Sequence, residues 1–183
     1  MIVGVLVPGV GYTTQGPLLS FAGVALSRRG IDAHHVSGQL PSGLDRAGQL
    51  RFVIDQVSAA LDTVAAQAPG ATPVIVAKSI GTLAAPLAAE RGLPAIWLTP
   101  LVKLDFVADA IRRSTAPALL VGGTADSLWD GAIARDTGRQ VLEVPDADHV
   151  MYVPGPLRES ARVLGEIATA IEEFLDALPG ASG

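Results

Sequence analysis

The stretch P-V-I-V-A-K-S-I-G-T-L-A-A-P, from Pro73 to Pro86, decides how the rest of the chain is read. Val74, Ile75 and Val76 are β-branched and apolar, as a buried strand requires, and the alanine-rich segment after Gly81 reads as a helix. Between them stands Ser79, with Ala77 two residues before it and Gly81 two residues after. A strand that turns directly into a helix holds the residue at the turn in a strained conformation. Its neighbours two positions away must then be small, or they collide with the adjoining strand and helix. Such a nucleophile elbow lifts the serine hydroxyl above the end of the sheet. It also leaves the Ile80 amide at a helix N-terminus, facing the place where negative charge would develop on a substrate oxygen. The plainer reading is a serine capping an ordinary helix, so the pentapeptide needs support from elsewhere in the chain.

Upstream, 2–7 is a continuous apolar run that reads as a buried strand, and 8–16 is a loop that ends at Pro17, a favourable first helical residue. A helix is expected over 18–29, with Arg28 and Arg29 against its negative end and Gly30 as a left-handed stop. A strand over 31–36 and a turn-rich loop over 37–43 follow. The next helix, over 44–68, carries Leu50, Val53, Ile54, Val57, Leu61 and Val64 on one stripe. Downstream, strands over 95–98, 117–121 and 139–144 alternate with helices over 104–113, 129–136 and 157–178. The last helix turns Val163, Leu164, Ile167, Ile171, Phe174 and Leu175 inward.

Six apolar strands alternating with six helices define an α/β architecture: a three-layer, doubly wound, six-stranded parallel sheet covered by helices on both faces. One domain over 1–179 and a flexible Gly-rich tail over 180–183 are expected. In such sheets the ligand site lies beyond the carboxyl ends of the strands, where the winding direction reverses.

Composition narrows the partners. Hydrophobic residues make up 49% of the chain and aromatics only 4%, so the core must be closely packed Ala, Val, Leu and Ile. A net charge of -5 and a pI near 5.0 argue against nucleic acid or an anionic membrane surface, which require a basic face. The absence of cysteine excludes disulfides, thiolate zinc sites and cysteine nucleophiles. Met1 leads straight into the first strand with no basic segment before it, so a cytoplasmic location is expected.

A serine hydroxyl is a weak nucleophile at neutral pH and needs an imidazole to take its proton and an acid to orient that imidazole. His34 and His35 are adjacent on one strand, point to opposite faces, and read as structural or solvated. His149 instead stands in the loop P-D-A-D-H-V-M after the last strand, placed to hang over the sheet edge. Asp126 ends the run L-L-V-G-G-T-A-D, just past the fifth strand. Asp146, Asp148 and Asp105 compete with it. Two of these share the histidine's own loop and have little room to turn back onto its ring, so Asp126 ranks first. Ser79, Asp126 and His149 thus follow in the order Ser, Asp, His on three separate loops at one end of the sheet.

With these segments in view, the sequence resembles the α/β-hydrolase fold family over nearly its whole length. The elbow Ala77-Lys78-Ser79-Ile80-Gly81, the run Gly123-Thr124-Ala125-Asp126 and the His149 loop are similar to that family's three catalytic segments, and Pro8-Gly9-Val10-Gly11 to its oxyanion loop. The resemblance implies a Ser79–His149–Asp126 triad and an oxyanion hole formed by the Val10 and Ile80 amides, with Gly11 the next candidate. It departs from the family pattern at Ala77, usually Gly, and at Pro8, where many relatives carry His. The chain begins at what resembles the family's third strand. The short connection from Leu98 to Leu104 leaves no room for a cap, so the resemblance is to small lidless members of the dienelactone-hydrolase-like, esterase or thioesterase type. It implies an ester or thioester substrate and no cofactor or metal, and a homodimer is compatible with the open site.

Tyr12, Thr99, Leu101, Trp129 and Met151 fall on the same strand-end loops and are expected to form an apolar pocket rim, although each would equally fill a gap in an aromatic-poor core. Lys78 either holds an anionic substrate group or lies across the surface with its charge solvated. The second reading is favoured because lysine is rarely buried. A dinucleotide-binding reading of Gly9-Val10-Gly11 and Gly16 fails on spacing and on the lack of an acid at the second strand's end, where Val36, Ser37 and Gly38 stand. A lyase, cyclase, acyltransferase or binding module on the same fold is the remaining alternative to a hydrolase.

Overall fold

The computed structural model describes residues 1–180; apart from Gly180, the expected tail lies outside the described residues. Six strands, β1 (Ile2–Val7), β2 (Asp32–His35), β3 (Thr72–Lys78), β4 (Ala95–Leu98), β5 (Ala118–Gly123) and β6 (Gln140–Val144), form one sheet in the order β2-β1-β3-β4-β5-β6. Every pairing is parallel. The helices are α1 (Pro17–Ser27), α2 (Arg46–Gln67), α3 (Ala85–Glu90), α4 (Asp105–Arg113), α5 (Gly131–Asp136) and α6 (Leu157–Asp176).

Side chains alternate across the strands, and each face has its own apolar cluster. Val3, Val5, Val7, Ile75, Ala77, Trp97 and Leu120 join residues of α2, α3, α4 and α5 on one face. Ile2, Leu6, Val74, Val76, Ile96, Leu119 and Val121 join α1 and α6 on the other. The stripe expected on α2 is buried at Val53, Val57, Leu61 and Val64, and that on α6 at Val163, Ile167, Ile171, Phe174 and Leu175.

Differences from the sequence reading are local. The first helix stops at Ser27, and Arg29 beyond it donates both to the Ala25 carbonyl in the helix's last turn (3.1 Å), as expected, and to Asp176 (2.6 Å) and Glu172 (3.2 Å) of α6, so it also ties the helix to a neighbour. The helix expected from Trp129 starts at Gly131, because Asp130 caps it by accepting from the amides of Ala132 and Ile133. The helix after Ser79 begins as a 3₁₀ turn over Ser79–Ala84 before becoming α3.

The winding reverses between β1 and β3: α1 carries the chain outward from β1 to β2, and α2 brings it back across β1 to β3. Register aligns the strand ends there, with Val7 beside Ala77, Lys78 beside Leu98, Leu98 beside Val121, and Gly123 beside Val144. Loops leaving β1, β3, β5 and β6 therefore meet along one edge, which is where Ser79, Asp126 and His149 stand.

Candidate active site

Ser79 has φ 52° immediately after β3, the left-handed conformation that a strand-to-helix elbow requires. Gly81 explains why the turn closes: a Cβ there would stand 3.0 Å from both Val7 Cγ1 and the Val7 carbonyl oxygen, leaving no room for a larger residue. Thr82 then locks the elbow, its hydroxyl donating to the Ser79 carbonyl (2.7 Å) and accepting from the Leu101 amide (3.2 Å). Three other non-glycine residues have positive φ: Thr99, Asp146 and Met151, all in loops at this same edge. Backbone strain in the described chain is thus gathered where β3, β4 and β6 end.

Asp126 closes the turn after β5, with one carboxylate oxygen accepting from the Leu128 amide (2.9 Å) and the other facing His149. The His149 loop reaches it because Gly123 lacks a side chain: a Cβ there would fall 2.1 Å from the Ala147 carbonyl oxygen. That approach is fixed by bonds from the Ala125 amide to Ala147 O (3.0 Å) and from the Asp146 amide to Thr124 Oγ1 (2.8 Å). Asp148 accepts from the amides of Val150 and Tyr152, shaping the loop from within, while the ring nitrogens bond to Asp126 and Ser79 instead.

Ser79, His149 and Asp126 form a hydrogen-bonded chain. Ser79 Oγ lies 2.8 Å from His149 Nε2, and His149 Nδ1 lies 2.7 Å from Asp126 Oδ2. A carboxylate can only accept, so Nδ1 carries the proton and Nε2 is left to accept from the serine hydroxyl. Burial of Asp126 pushes its carboxyl pKa up. The bonds from His149 and the Leu128 amide, with the charges of His149 and Lys78, outweigh that and hold it below the usual carboxylate value. The acid therefore stays ionised while its side chain is only 1% exposed, against 32% for the imidazole.

The loop after β1 packs against the elbow. A Cβ on Gly9 would stand 3.2 Å from Ser79 Cβ, and the loop turns with the Tyr12 amide donating to Gly9 O (3.2 Å). Among the described residues the Val10 amide has no acceptor, and the Val10 side chain is exposed. The Ile80 amide lies in the first turn of the 3₁₀ segment, where backbone donors have no partner within the helix.

The surroundings correct two expectations. Lys78 does not lie across the surface. It is 3% exposed, its Nζ sits 4.8 Å from the centroid of the Tyr12 ring, and it donates to the His149 carbonyl (3.3 Å). Burial pushes its pKa down to about 8, against the opposing pull of Asp126 and Asp148. The expected rim also fails at four of its five positions: Leu101, Trp129 and Met151 are buried in the two apolar clusters, and Thr99 is buried as well. Trp129 lies over Gly122, where a Cβ would be 2.1 Å from its ring, and its indole N–H donates to Glu143 (2.7 Å). Thr99 is fully buried, and its hydroxyl has no partner among the described residues. Only Tyr12 stays half-buried, with its hydroxyl accepting from the Leu18 amide (2.9 Å).

Open space lies elsewhere. A cleft of about 440 Å³ runs between the loops after β1 and β2, lined by Gly9, Val10, Tyr12, His35, Val36 and Leu40 among others. Gly9 joins it to Ser79. His35 stands at this cleft with its Nδ1 2.9 Å from Thr14 Oγ1. Exposed apolar side chains on the loops of this edge are Val10, Leu128, Val150 and Tyr152.

A doubly wound parallel sheet that carries a hydrogen-bonded Ser–His–Asp chain on loops at its carboxyl edge, with its members in the order Ser, Asp, His along the sequence, defines a narrow class. The chain has the α/β-hydrolase fold, in its small lidless form. A serine hydrolase without a lid from Xanthomonas campestris is 19% identical, with a TM-score of 0.69 over 97% of this chain and 84% of that one. A dienelactone hydrolase from Anabaena variabilis is 20% identical, with a TM-score of 0.69 over 96% and 86%. An α/β serine hydrolase homologue from Coxiella burnetii is 17% identical, with a TM-score of 0.70 over 94% and 84%. No protein-family model and no curated protein sequence matches the chain. Among the described residues, no helix is long and apolar enough to cross a membrane.

Proposed function

We propose that this chain is a serine hydrolase that cleaves an ester or thioester through an acyl-enzyme intermediate. The observation that carries the reading is the continuous bond chain from Ser79 Oγ through His149 to Asp126, at 2.8 Å and 2.7 Å. In the proposed reaction His149 Nε2 takes the Ser79 proton as the oxygen attacks the substrate carbonyl, and Asp126 stabilises the imidazolium that forms. The Val10 and Ile80 amides, with Gly11 as the next donor along the loop, hold the developing oxyanion. His149 then gives its proton to the leaving group and activates water for the second half of the cycle.

The cleft at Gly9 supports binding of the acyl or leaving group against Val10, Tyr12, Val36 and Leu40. Trp129, Leu101 and Met151 take no direct part. Water as acyl acceptor is favoured over a lyase, cyclase or acyltransferase reaction by the openness of the site: His149 is one-third exposed, and only residues 99–104 join β4 to α4. The neighbours' names point the same way, as they include a dienelactone hydrolase and an esterase from Pyrococcus furiosus. Labelling with a fluorophosphonate probe tests the reading: the wild type takes up the probe and Ser79→Ala does not. Equal labelling of the two would sink the nucleophile assignment.

A further inference from the structure

Among the described residues, Lys78 is the one buried cation, and the proposed reaction leaves it without a task. It precedes the nucleophile directly, and its stem is sealed beneath the loops after β1 and β6. Its ammonium lies over the Tyr12 ring from the loop after β1 and donates to the His149 carbonyl from the loop after β6, while the charges of Asp126 on the loop after β5 and Asp148 on the loop after β6 favour its protonated form. A buried ammonium is costly, so it persists only where several such partners hold it. The carbonyl it binds belongs to the residue whose ring must stay on Ser79 Oγ. That loop is otherwise tied mainly to β5 and to itself, through Ala147, Asp146 and Asp148. The Lys78 bond is its direct polar tie to β3 besides the imidazole–serine contact.

We propose that Lys78 is a positioning residue for His149: its ammonium, seated on the Tyr12 ring, ties the end of β3 to the His149 carbonyl and so holds the imidazole on Ser79. Substrate recognition is not its role. The charge is needed for the tie, because a neutral amine is a weaker donor to the carbonyl and loses its attraction to the aromatic face and the two carboxylates. Since burial brings the ammonium's pKa down to about 8, the tie weakens as pH rises through that value.

The proposal rests on the hydrolase reading for its kinetic arm and is independent of that reading for its structural arm. In the structural arm, hydrogen exchange of the segment 145–153 is followed across pH and normalised for intrinsic exchange, in the wild type and in Lys78→Met. The wild type is expected to be protected below pH 8 and to lose protection above it, while the variant exchanges fast throughout. Protection unaffected by both pH and substitution would overturn the tie. The wild-type series decides this by itself if the variant does not fold. In the kinetic arm, p-nitrophenyl acetate turnover is expected to fall on the alkaline side around pH 8 in the wild type. Lys78→Met is expected to lose that limb and turn over about ten- to a hundredfold more slowly, with KM within about twofold, as a displaced base would cause. A variant with normal kcat and raised KM, or one that keeps the alkaline limb, would overturn the positioning role. Turnover retained by Ser79→Ala would refute the hydrolase reading while leaving the exchange result standing.

Discussion

Burying a lysine beside Ser79 should be measurable as lost stability, and Lys78→Met removes the charge at nearly constant side-chain length. In the folded chain burial lowers the Lys78 pKa from 10.5 to about 8, whereas in the unfolded chain it returns to the ordinary value. The unfolded state therefore binds the extra proton between pH 8 and 10.5, and stability from this group rises with pH across that window. Below pH 8 both states are protonated and the folded state bears the whole cost, about 3 kcal/mol at 1.36 kcal/mol per pH unit. The variant escapes that cost but leaves the His149 carbonyl without its donor, a loss of about 1 kcal/mol. Near pH 7 Lys78→Met should thus be about 2 kcal/mol more stable than the wild type. The difference should shrink to zero or change sign by pH 10.5. Urea unfolding at pH 7 and pH 10, read from midpoints at constant slope, measures it. A gap that does not change with pH, or a variant less stable than the wild type at pH 7, would refute the view that the protein keeps a desolvated ammonium at this position.

Three substitutions test how the other side chains are held. Asp126→Asn should keep the fold and lower kcat by about 10⁴, the loss found when an amide replaces the triad acid of a serine protease, because the amide favours the wrong imidazole tautomer. Near-normal turnover in Asp126→Asn, with Asp148→Asn or Asp105→Asn inactive, would reassign the acid. Gly123→Ala places a methyl 2.1 Å from the Ala147 carbonyl oxygen, so the His149 loop must shift. Thermal unfolding should report a loss of about 1–3 kcal/mol, and ester turnover should fall with it. Thr82→Val strands the Leu101 amide and removes the hydroxyl bond to the Ser79 carbonyl, with an expected cost of about 1–3 kcal/mol in denaturant unfolding.

Alternation and turn chemistry made most of the architecture legible. The strand faces at Val3, Val5, Ile75 and Ile96 separate as period two requires, and Ala77 and Gly81 marked the elbow because only small residues fit there. The order Ser79, Asp126, His149 could be read because each follows an apolar strand, and parallel strands bring their ends to one edge. What stayed hidden was the direction in which loop side chains point. Lysine burial runs against the residue's general preference, and nothing local to Lys78 reveals that Tyr12, 66 positions earlier, lies under its ammonium. Trp129 was read as rim because it sits in a loop, yet Gly122, seven residues before it, leaves the space that draws the indole inward. That glycine was the available signal. Thr82 had one too, a hydroxyl in the first turn of a helix, where Ser and Thr side chains bond back to the carbonyl a turn earlier. The cleft at Gly9 had none, since it arises from two loops that meet only when β1 and β2 pair.

The central claim is that acyl transfer passes through Ser79, and trapping the intermediate tests it most directly. Rapid mixing of the protein with excess p-nitrophenyl acetate, acid quench and fragmentation mass spectrometry should show one acetyl group on the peptide carrying residues 79–90, bonded to Ser79. Its appearance should match a burst of one p-nitrophenolate per chain. Ser79→Ala should show neither. An acetyl group on Lys78, whose lowered pKa makes its amine the competing nucleophile in the same turn, or turnover with no acyl adduct in the wild type, would contradict the account.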